Sequence, residues 1–269
     1  MTSTSGSTQR SRPISRASIV AHGRIDVGDA TERVKAVAAA SGVTLADEPA
    51  EAEIAIALGG DGTMLRTLAK LLDSGVPAIG VNFGRVGFLA SIRPDDLEAD
   101  LARVFTGEYS VVELPTLEMR LDGERHIAVN DIVATSSILG RMVELAWAVG
   151  GEDLGTIPCD GMICATPTGS TAYNLSNGGP VLVRGLDAMA VTFIAPHSLH
   201  ARPLVVPRPL ELTVRNATAD VAVAILVDGH RVAALAPGDE AWVQLCGERS
   251  LLATLPETTF FGRYRETFA

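Results

Sequence analysis

Residues 54–66 have the sequence IAIALGGDGTMLR, and this stretch decides the fold of the first half of the chain. The apolar run 54–58 predicts a short buried strand, and the turn GGDG at 59–62 follows it directly. Methionine and leucine side chains then recur at helical spacing over 63–73, which predicts an amphipathic helix. The stretch is therefore a strand, a glycine turn and a helix in succession.

The same alternation of strand and helix extends to both sides of this stretch. Apolar runs predict strands at 17–21 and 77–81, and amphipathic patterns predict helices at 31–41 and 94–105. Because strands and helices alternate, we expect a parallel sheet with helices on its faces.

The sequence changes after Gly107 to a pattern rich in strands, in which the dipeptide Asp122-Gly123 marks a hairpin. One short helix is predicted at 170–176, and strands are predicted at 109–121, 126–135, 142–149, 162–165, 191–194, 210–214, 221–227, 231–235 and 242–245. The expected fold is an α/β N-terminal domain with a parallel sheet plus a β-rich C-terminal domain, α+β overall. We expect a disordered tail at 1–16, the α/β domain at 17–107, the β-rich domain at 108–250 and a C-terminal tail at 251–269 that packs back on the body.

The composition excludes several classes of protein. With 22 basic and 32 acidic residues, the chain has a net charge of −10, so neither nucleic acid nor a membrane surface is an expected partner. No apolar run is long enough for a transmembrane helix. The three cysteines form no even disulfide framework and no C-x-x-C pair, which predicts a cytoplasmic protein with reduced thiols. The five histidines show no zinc spacing with these cysteines, so no metal site built from protein side chains is predicted.

The GGDG turn is the first candidate site. Unpaired N–H groups at a helix start attract an anion, which predicts a phosphate-donor loop formed by Gly59, Gly60, Gly62 and Thr63. Asp61 would repel a phosphate, but it fits a general base for an attacking hydroxyl, or a group that helps to hold a metal on the phosphate. The alternative is a tight turn in which Asp61 is only the N-cap. Neither lysine of the chain lies in a G-x-x-x-x-G-K-[ST] frame, which excludes a Walker A loop.

Two further segments carry polar side chains in apolar surroundings. The stretch 166–180, TPTGSTAYNLSNGGP, offers hydroxyls, free N–H groups and the flat ring of Tyr173 to a polar ligand, although a capped helix start is the simpler interpretation. Asn130 and Asp131 lie inside a strand pattern. An aspartate can accept from ribose hydroxyls and an asparagine can donate and accept, whereas the alternative is a local bulge satisfied by backbone groups.

Taken together, these motifs resemble the NAD kinase family. The matching segments, in the order typical of the family, are GGDGTMLR (59–66), GVNFGRVGFL (80–89), the Asn130-Asp131 pair, DGMICATPTGSTAYNLSNGGP (160–180), PHSLHARPLVV (196–206) and VDGH (227–230). GGDG alone is shared with lipid kinases and phosphofructokinase-like proteins, but the long block at 166–180 is highly specific.

The resemblance implies phosphorylation of the adenosine ribose 2′-hydroxyl of NAD to give NADP. It implies ATP, another nucleoside triphosphate or polyphosphate as donor, a divalent metal such as Mg²⁺, and a homodimer or homotetramer. Asp61 matches the catalytic acid of the family, with Asn130 and Asp131 on the adenosine side and Asp160 on the nicotinamide side. The NAD-binding positions implied by the resemblance are Asp61, Gly62, Arg66, Asn130, Asp131, Arg141, Asp160, Thr171, Ala172, Tyr173, Asn174, Leu175, Ser176, Ala195 and His230.

The sequence departs from the family at two positions. Glutamine is frequent where His230 stands, and a basic residue often occupies the position of Pro158, so substrate preference is open while the reaction class is not. Two competing hypotheses are a lipid or sugar kinase that shares only the GGDG turn and a dinucleotide sensor without catalysis. The first would lack the Asn130-Asp131 pair, and the second would be favoured by loss of Asp61, which is present.

Overall fold

The computed structural model describes residues 7–10, 12–21, 27–84 and 87–269. The chain divides into two compact units, of which the first contains residues up to Leu114 together with Arg249–Ala269. The second unit is Pro115–Glu248. The boundary was expected near Gly107. The division between Leu114 and Pro115 falls a few residues later, inside the continuous strand Tyr109–Leu121.

The first unit alternates strands and helices. Its elements in chain order are β1 (Ser7–Arg10), β2 (Arg16–Ala21), α1 (Gly28–Ala40), β3 (Thr44–Ala46), β4 (Ile54–Gly59), α2 (Asp61–Lys70), β5 (Ala78–Asn82) and α3 (Leu97–Phe105), with short 3-10 turns at Pro49–Glu51 and Pro94–Asp96. Strands β3, β2, β4 and β5 are neighbours in that order and run parallel. This arrangement confirms the predicted α/β domain with a parallel sheet.

The apolar sequence of β4 explains its central place in this sheet. All six of its residues are buried, as expected for a parallel strand covered on both faces. Helices α1 and α3 contact each other, and α2 contacts β4 and β5. Val34 of α1 and Leu101 of α3 share one hydrophobic cluster with Ile56. The turn after β4 consequently lies at the carboxyl end of the sheet, where open α/β sheets bind their ligands.

The second unit consists mainly of antiparallel strands. The remaining elements of the chain are β6 (Tyr109–Leu121), β7 (Glu124–Ala128), β8 (Asp131–Ser136), β9 (Val143–Val149), β10 (Glu152–Cys159), β11 (Gly161–Ala165), a 3-10 turn (Gly169–Thr171), α4 (Tyr173–Ser176), β12 (Ala188–Ile194), β13 (Leu204–Pro207), β14 (Leu212–Asn216), β15 (Val223–Val227), β16 (His230–Leu235), β17 (Glu240–Thr254) and α5 (Phe260–Phe268), the last in the first unit. Strands β10-β9-β14-β17 are neighbours in one sheet, and β13-β12-β11-β8-β15-β16 form another. The predicted β-rich C-terminal domain is confirmed.

Side chains from both sheets form the core of the second unit. Leu145 and Val243 from one sheet join Met162, Val191 and Ile225 from the other in a single buried cluster. The alternation of strand side chains points the polar residues of each strand away from this cluster. The backbone of β8 pairs with β11 on one side and with β15 on the other. Asp131 is the first residue of β8, and Asn130 directly precedes it.

Several local expectations differ from the structure, including the strand at 242–245, which extends over Glu240–Thr254, and the unpredicted strands β3 and β13. Residues 7–10, expected within a disordered tail, form strand β1, which pairs with 109–112 of β6 through backbone groups that leave no mark in the sequence. Strand β10 was not predicted, because its first five residues are exposed and show no apolar alternation. The strand expected at 126–135 is interrupted at Val129 and Asn130, between β7 and β8.

Within the part of the chain that the structure describes, no helix is long and apolar enough to cross a membrane.

Candidate functional site

The glycine turn after β4 opens helix α2. Gly60 is the N-cap residue, and its carbonyl accepts hydrogen bonds from the N–H groups of Thr63 at 2.9 Å and Met64 at 3.1 Å. No side chain caps this helix start, so the alternative of Asp61 as N-cap is wrong. The start of a helix attracts anions through its unpaired N–H groups and its dipole, so the phosphate-donor loop at 59–63 stays a prediction.

The carboxylate of Asp61 is instead bound by the segment that follows β5. Its Oδ2 accepts from the N–H of Phe88 at 2.8 Å, and its Oδ1 accepts from the N–H groups of Leu89 at 3.2 Å and Ala90 at 3.3 Å. A carboxylate offers about four acceptor positions. Since three are used, Asp61 keeps the capacity to accept one more hydrogen bond or to contact a cation.

Gly87 lets this segment approach Asp61 closely. A Cβ atom at position 87 would lie 2.2 Å from Oδ2 of Asp61, which is far inside van der Waals contact. The GVNFGRVGFL motif therefore contains a direct structural partner of the GGDG motif, which the sequence analysis did not identify.

The other residues predicted around this turn differ in accessibility. Gly59 ends β4 and is buried, and Thr63 is buried in α2. Gly62 and Arg66 are exposed on α2 and so are accessible to a ligand.

The second candidate site is centred on Asn130 and Asp131. The carboxylate of Asp228 accepts from the N–H groups of Val129 at 2.9 Å, Asn130 at 2.7 Å and Asp131 at 3.1 Å. The backbone here is thus satisfied by a side chain, and the alternative of a bulge satisfied only by backbone groups is wrong. Asp228 adopts a left-handed φ of 47° in the tight turn between β15 and β16.

Asp228 is a residue that the sequence analysis missed as a member of the site. Its signal was present as the Asp228-Gly229 dipeptide between two strand patterns, which is typical of a hairpin turn. The sequence does not show that its carboxylate faces a segment near residue 130.

Burial affects the protonation of two neighbouring carboxyl groups, those of Asp131 and Asp228, which form an acidic pair. Removal from water, followed by the nearby charge of Asp228, raises the pKa of Asp131 from 3.8 to about 7. Burial also raises the pKa of Asp228, although its three backbone donors and His230 oppose that shift. The two carboxyl groups therefore do not ionise independently, and Asp131 titrates near neutral pH.

Asn130 presents an acceptor with no partner. Its Oδ1 is buried, and no donor among the described residues lies within hydrogen-bonding distance of it. The hydroxyl of Thr168 is in the same condition. Buried polar atoms are rarely left unpaired, so these two atoms point to a polar ligand at this place.

The loop after β11 packs tightly against Asn130. Thr166 donates from its N–H to the Asn130 carbonyl at 2.9 Å, and from its hydroxyl to the Val129 carbonyl at 2.7 Å. A Cβ atom on Gly169 would lie 2.1 Å from the Asn130 carbonyl oxygen. The structure thus brings the 166–176 segment, the Asn130-Asp131 pair and Asp228 together.

Within 171–176, the structure separates internal from accessible side chains. Asn174 is fully buried; its amide donates to the carbonyls of Ser170 and Pro180 at 3.0 Å each and its oxygen accepts from Thr192 at 2.7 Å. The polar atoms of the Asn174 side chain are therefore occupied within the fold, while its place among the NAD-binding positions stays a prediction. Tyr173 and Ser176 are exposed, and the others, Thr171, Ala172 and Leu175, are half-buried.

Asp160 directly precedes β11 and Ala195 directly follows β12, so the two residues lie close together at one end of the sheet that contains these strands. The N–H of Asp160 donates to the carbonyl of Ile194 at 3.0 Å, next to Ala195. Both residues are exposed, and Ala195 has a left-handed φ of 41°, which is unusual for alanine.

Arg141 and His230 are both exposed. The guanidinium of Arg141 pairs with Asp220 at 2.9 Å, and no described contact joins it to Asn130 or Asp131. Nδ1 of His230 lies 3.1 Å from the backbone carbonyl oxygen of Asp228, so this histidine is next to one member of the Asp131-Asp228 pair.

The described residues contain no group of three or more histidine, cysteine, aspartate or glutamate side chains that could hold a metal ion.

Comparisons with known proteins match both parts of the chain to one family. Residues 8–109 match the ATP-NAD kinase N-terminal domain and residues 129–254 match the ATP-NAD kinase C-terminal domain. An NAD kinase of Heliobacterium modesticaldum is 38% identical over 227 residues, covering 82% of this chain and 80% of the relative.

Solved structures share the fold. A crystal structure of an NAD kinase from Archaeoglobus fulgidus in complex with ATP is 27% identical, with a TM-score of 0.77 over 94% of this chain and 97% of the other. Yeast NADH kinase complexed with NADH has a TM-score of 0.85 at 21% identity, over 95% of this chain and 87% of the other. The two matched domains and this likeness to characterised relatives establish that the chain belongs to the NAD kinase family.

Proposed function

We propose that the protein transfers a phosphoryl group to the adenosine ribose 2′-hydroxyl of NAD, giving NADP, with Asp61 as general base. The donor is ATP, another nucleoside triphosphate or polyphosphate, and a divalent metal takes part. The observation that carries the proposal is the buried, unpaired Oδ1 of Asn130 beside the buried carboxyl of Asp131, since such a pair is complementary to an adenosine.

The adenosine chemistry follows from the donors and acceptors at this pair. Oδ1 of Asn130 can accept from an exocyclic amine, and the carboxylate of Asp131 can accept from ribose hydroxyls. Asp228 accepts from the backbone N–H groups of both residues, which holds this part of the chain in place. The exposed ring of Tyr173 offers a flat apolar surface to a base.

The transfer step requires a base and charge neutralisation. Asp61 takes the proton of the 2′-hydroxyl as the ribose oxygen attacks the terminal phosphorus of the donor. The bond from that phosphorus to the bridging oxygen breaks, and the shortened phosphate leaves. The N–H groups at the start of α2 and the exposed Arg66 support the anionic charge.

A divalent cation fits this site only as a partner of the donor phosphates. Residues 59–63 contain one carboxylate, that of Asp61, and Mg²⁺ in phosphoryl-transfer sites is typically held by one or two carboxylates together with phosphate oxygens. When bound, the cation would neutralise charge that develops on the phosphate oxygens.

We also propose that the protein is a homodimer or homotetramer. Strand β13 is an edge strand of its sheet within the described residues, and it exposes Leu204 and Val205. Apolar side chains on an unpaired edge favour association of subunits. Light scattering coupled to size-exclusion chromatography tests this proposal, and a species of 28.1 kDa alone would reject it.

The reaction is tested by incubating the protein with NAD, ATP and Mg²⁺ and detecting NADP with an NADP-specific dehydrogenase. Asp61→Asn is expected to lower kcat by about 10²-fold or more while NAD still binds. Asp73→Asn is the matched control, because Asp73 is exposed and its left-handed φ of 68° is tolerated by asparagine. Full activity in Asp61→Asn would reject its role as base. NAD binding without product under any donor would favour a sensor.

A further inference from the structure

The C-terminal helix α5 contacts the segment that binds Asp61. Nη2 of Arg263 donates to the carbonyl oxygens of Ala90 at 3.1 Å and Ser91 at 3.2 Å. The N–H of the same Ala90 donates to Asp61. The peptide groups on the two sides of Ala90 are therefore held by Asp61 and by Arg263.

Aromatic packing reinforces this contact. The ring of Phe88 lies 6.0 Å from the ring of Phe260 and 5.7 Å from that of Phe268, measured between centroids. The N–H of Phe88 makes the shortest of the three bonds to Asp61. Helix α5 thus fixes both the first and the last residue of the segment that orients this carboxylate.

Arg263 is held in place by its own surroundings. Its side chain is only 16% exposed, and Nη1 pairs with Glu266 one helical turn later at 3.1 Å. The start of α5 is defined by the hydroxyl of Thr259, which accepts from the N–H of Gly262 at 3.0 Å. A half-buried guanidinium that donates to two carbonyls makes charge-assisted hydrogen bonds, which restrain the backbone that they contact.

We propose that Arg263 is a positioning residue for Asp61: by anchoring the carbonyls of Ala90 and Ser91, it keeps the N–H groups of 88–90 directed at the Asp61 carboxylate. This inference rests on the proposed function of Asp61 as general base. Loss of Arg263 leaves the charge of Asp61 unchanged but releases its orientation. Because a small misplacement of a reacting group slows the chemical step more than binding, the effect falls on kcat.

The test compares Arg263→Met, Arg263→Lys and the control Arg265→Met, which removes an exposed arginine from the same helix. Arg263→Met is expected to lower kcat about tenfold or more and to change KM for NAD less than about twofold. Arg263→Lys is expected to recover part of kcat, because an ammonium can donate to both carbonyls. Arg265→Met is expected to retain kcat.

Hydrogen exchange followed by mass spectrometry provides a readout that does not depend on turnover. Arg263→Met is expected to exchange the amides of 88–90 several times faster than the wild type, with other amides of the first unit unchanged, and Asp61→Ala is expected to show the same pattern. Unchanged exchange at 88–90, or a kcat that falls only with the folded fraction measured by thermal unfolding, would overturn the proposal.

The two proposals fail in different ways. Absence of NAD phosphorylation by the wild type would count against the proposed function, whereas the exchange rates at 88–90 would still report on the contact from Arg263. Wild-type kcat in Arg263→Met, together with loss of turnover in Asp61→Asn, would count against the positioning role alone.

Discussion

Oδ1 of Asp228 accepts a 2.7 Å hydrogen bond from the backbone N–H of Asn130, a residue 98 positions earlier in the chain. The same carboxylate also binds the N–H groups on either side, so one side chain holds the entry to strand β8. The carbonyl of Asp131 in turn accepts from the N–H of Asp228 at 3.0 Å. The Asn130-Asp131 pair therefore depends on a turn that is distant from it in the sequence.

Asp228→Asn tests this dependence. An amide has one acceptor oxygen and directs its NH₂ group toward N–H donors, so buried backbone donors lose their partner. We expect the free energy of unfolding to fall by about 1–3 kcal/mol and NAD affinity to fall with it. Denaturant unfolding and calorimetric titration with NAD measure the two effects.

Asp122→Asn is the matched control for that change. Asp122 also occupies a hairpin turn, with a left-handed φ of 51°, but it is exposed. Asparagine tolerates this backbone conformation, so stability and affinity are expected to stay near the wild type. Equal behaviour of the two variants would show that the three bonds to Asp228 are not what holds Asn130.

Asp131→Asn is expected to stabilise the fold, and more strongly as the pH rises. The pKa of Asp131 is raised from 3.8 to about 7, so the folded chain binds more protons than the unfolded chain between these values. Stability therefore decreases as pH rises through this window, and the neutral amide removes the decrease. Each pKa unit corresponds to about 1.4 kcal/mol, so a pKa raised from 3.8 to about 7 predicts a gain of roughly 4 kcal/mol at pH 8.

Thermal unfolding of wild type and Asp131→Asn from pH 4 to pH 8 measures this linkage. The difference in Tm is expected to grow toward pH 8 and to vanish near pH 4. The same variant is expected to bind NAD more weakly, which separates a gain in stability from a gain in function. A Tm difference independent of pH would exclude the titration of Asp131 as its cause.

The sequence singled out polar residues but did not show which way their side chains face. Asp61 was singled out because it follows an apolar strand pattern, and Asn130 because it lies inside one. Asn174 lies in an equally specific motif, yet its amide is used entirely inside the fold. Asp228 and Arg263 act through backbone groups distant in sequence, and no local pattern encodes such a contact. Local sequence patterns thus predict helices and strands, whereas the hydrogen-bond partners of a side chain are determined by the tertiary fold.

Gly169→Ala tests the close packing of the 166–176 segment on Asn130. The added Cβ would lie 2.1 Å from the carbonyl oxygen of Asn130, so the two backbones must separate. We expect a loss of about 1–3 kcal/mol in the free energy of unfolding and weaker NAD binding. Gly247→Ala is the control, because a Cβ there meets no atom within 4 Å. Wild-type affinity in Gly169→Ala would mean that this contact does not shape the site.

Gly87→Ala tests the link between the two motifs of the first unit. Its Cβ would lie 2.2 Å from Oδ2 of Asp61, so either the carboxylate or the 88–90 segment must move. Because Asp61 would turn away from its N–H donors, we expect kcat to fall about tenfold or more, with NAD affinity nearly unchanged. Coupled kinetics and calorimetry separate these effects, and Gly247→Ala again provides the control. A loss of affinity at unchanged kcat would show that Gly87 serves substrate binding and not the orientation of Asp61.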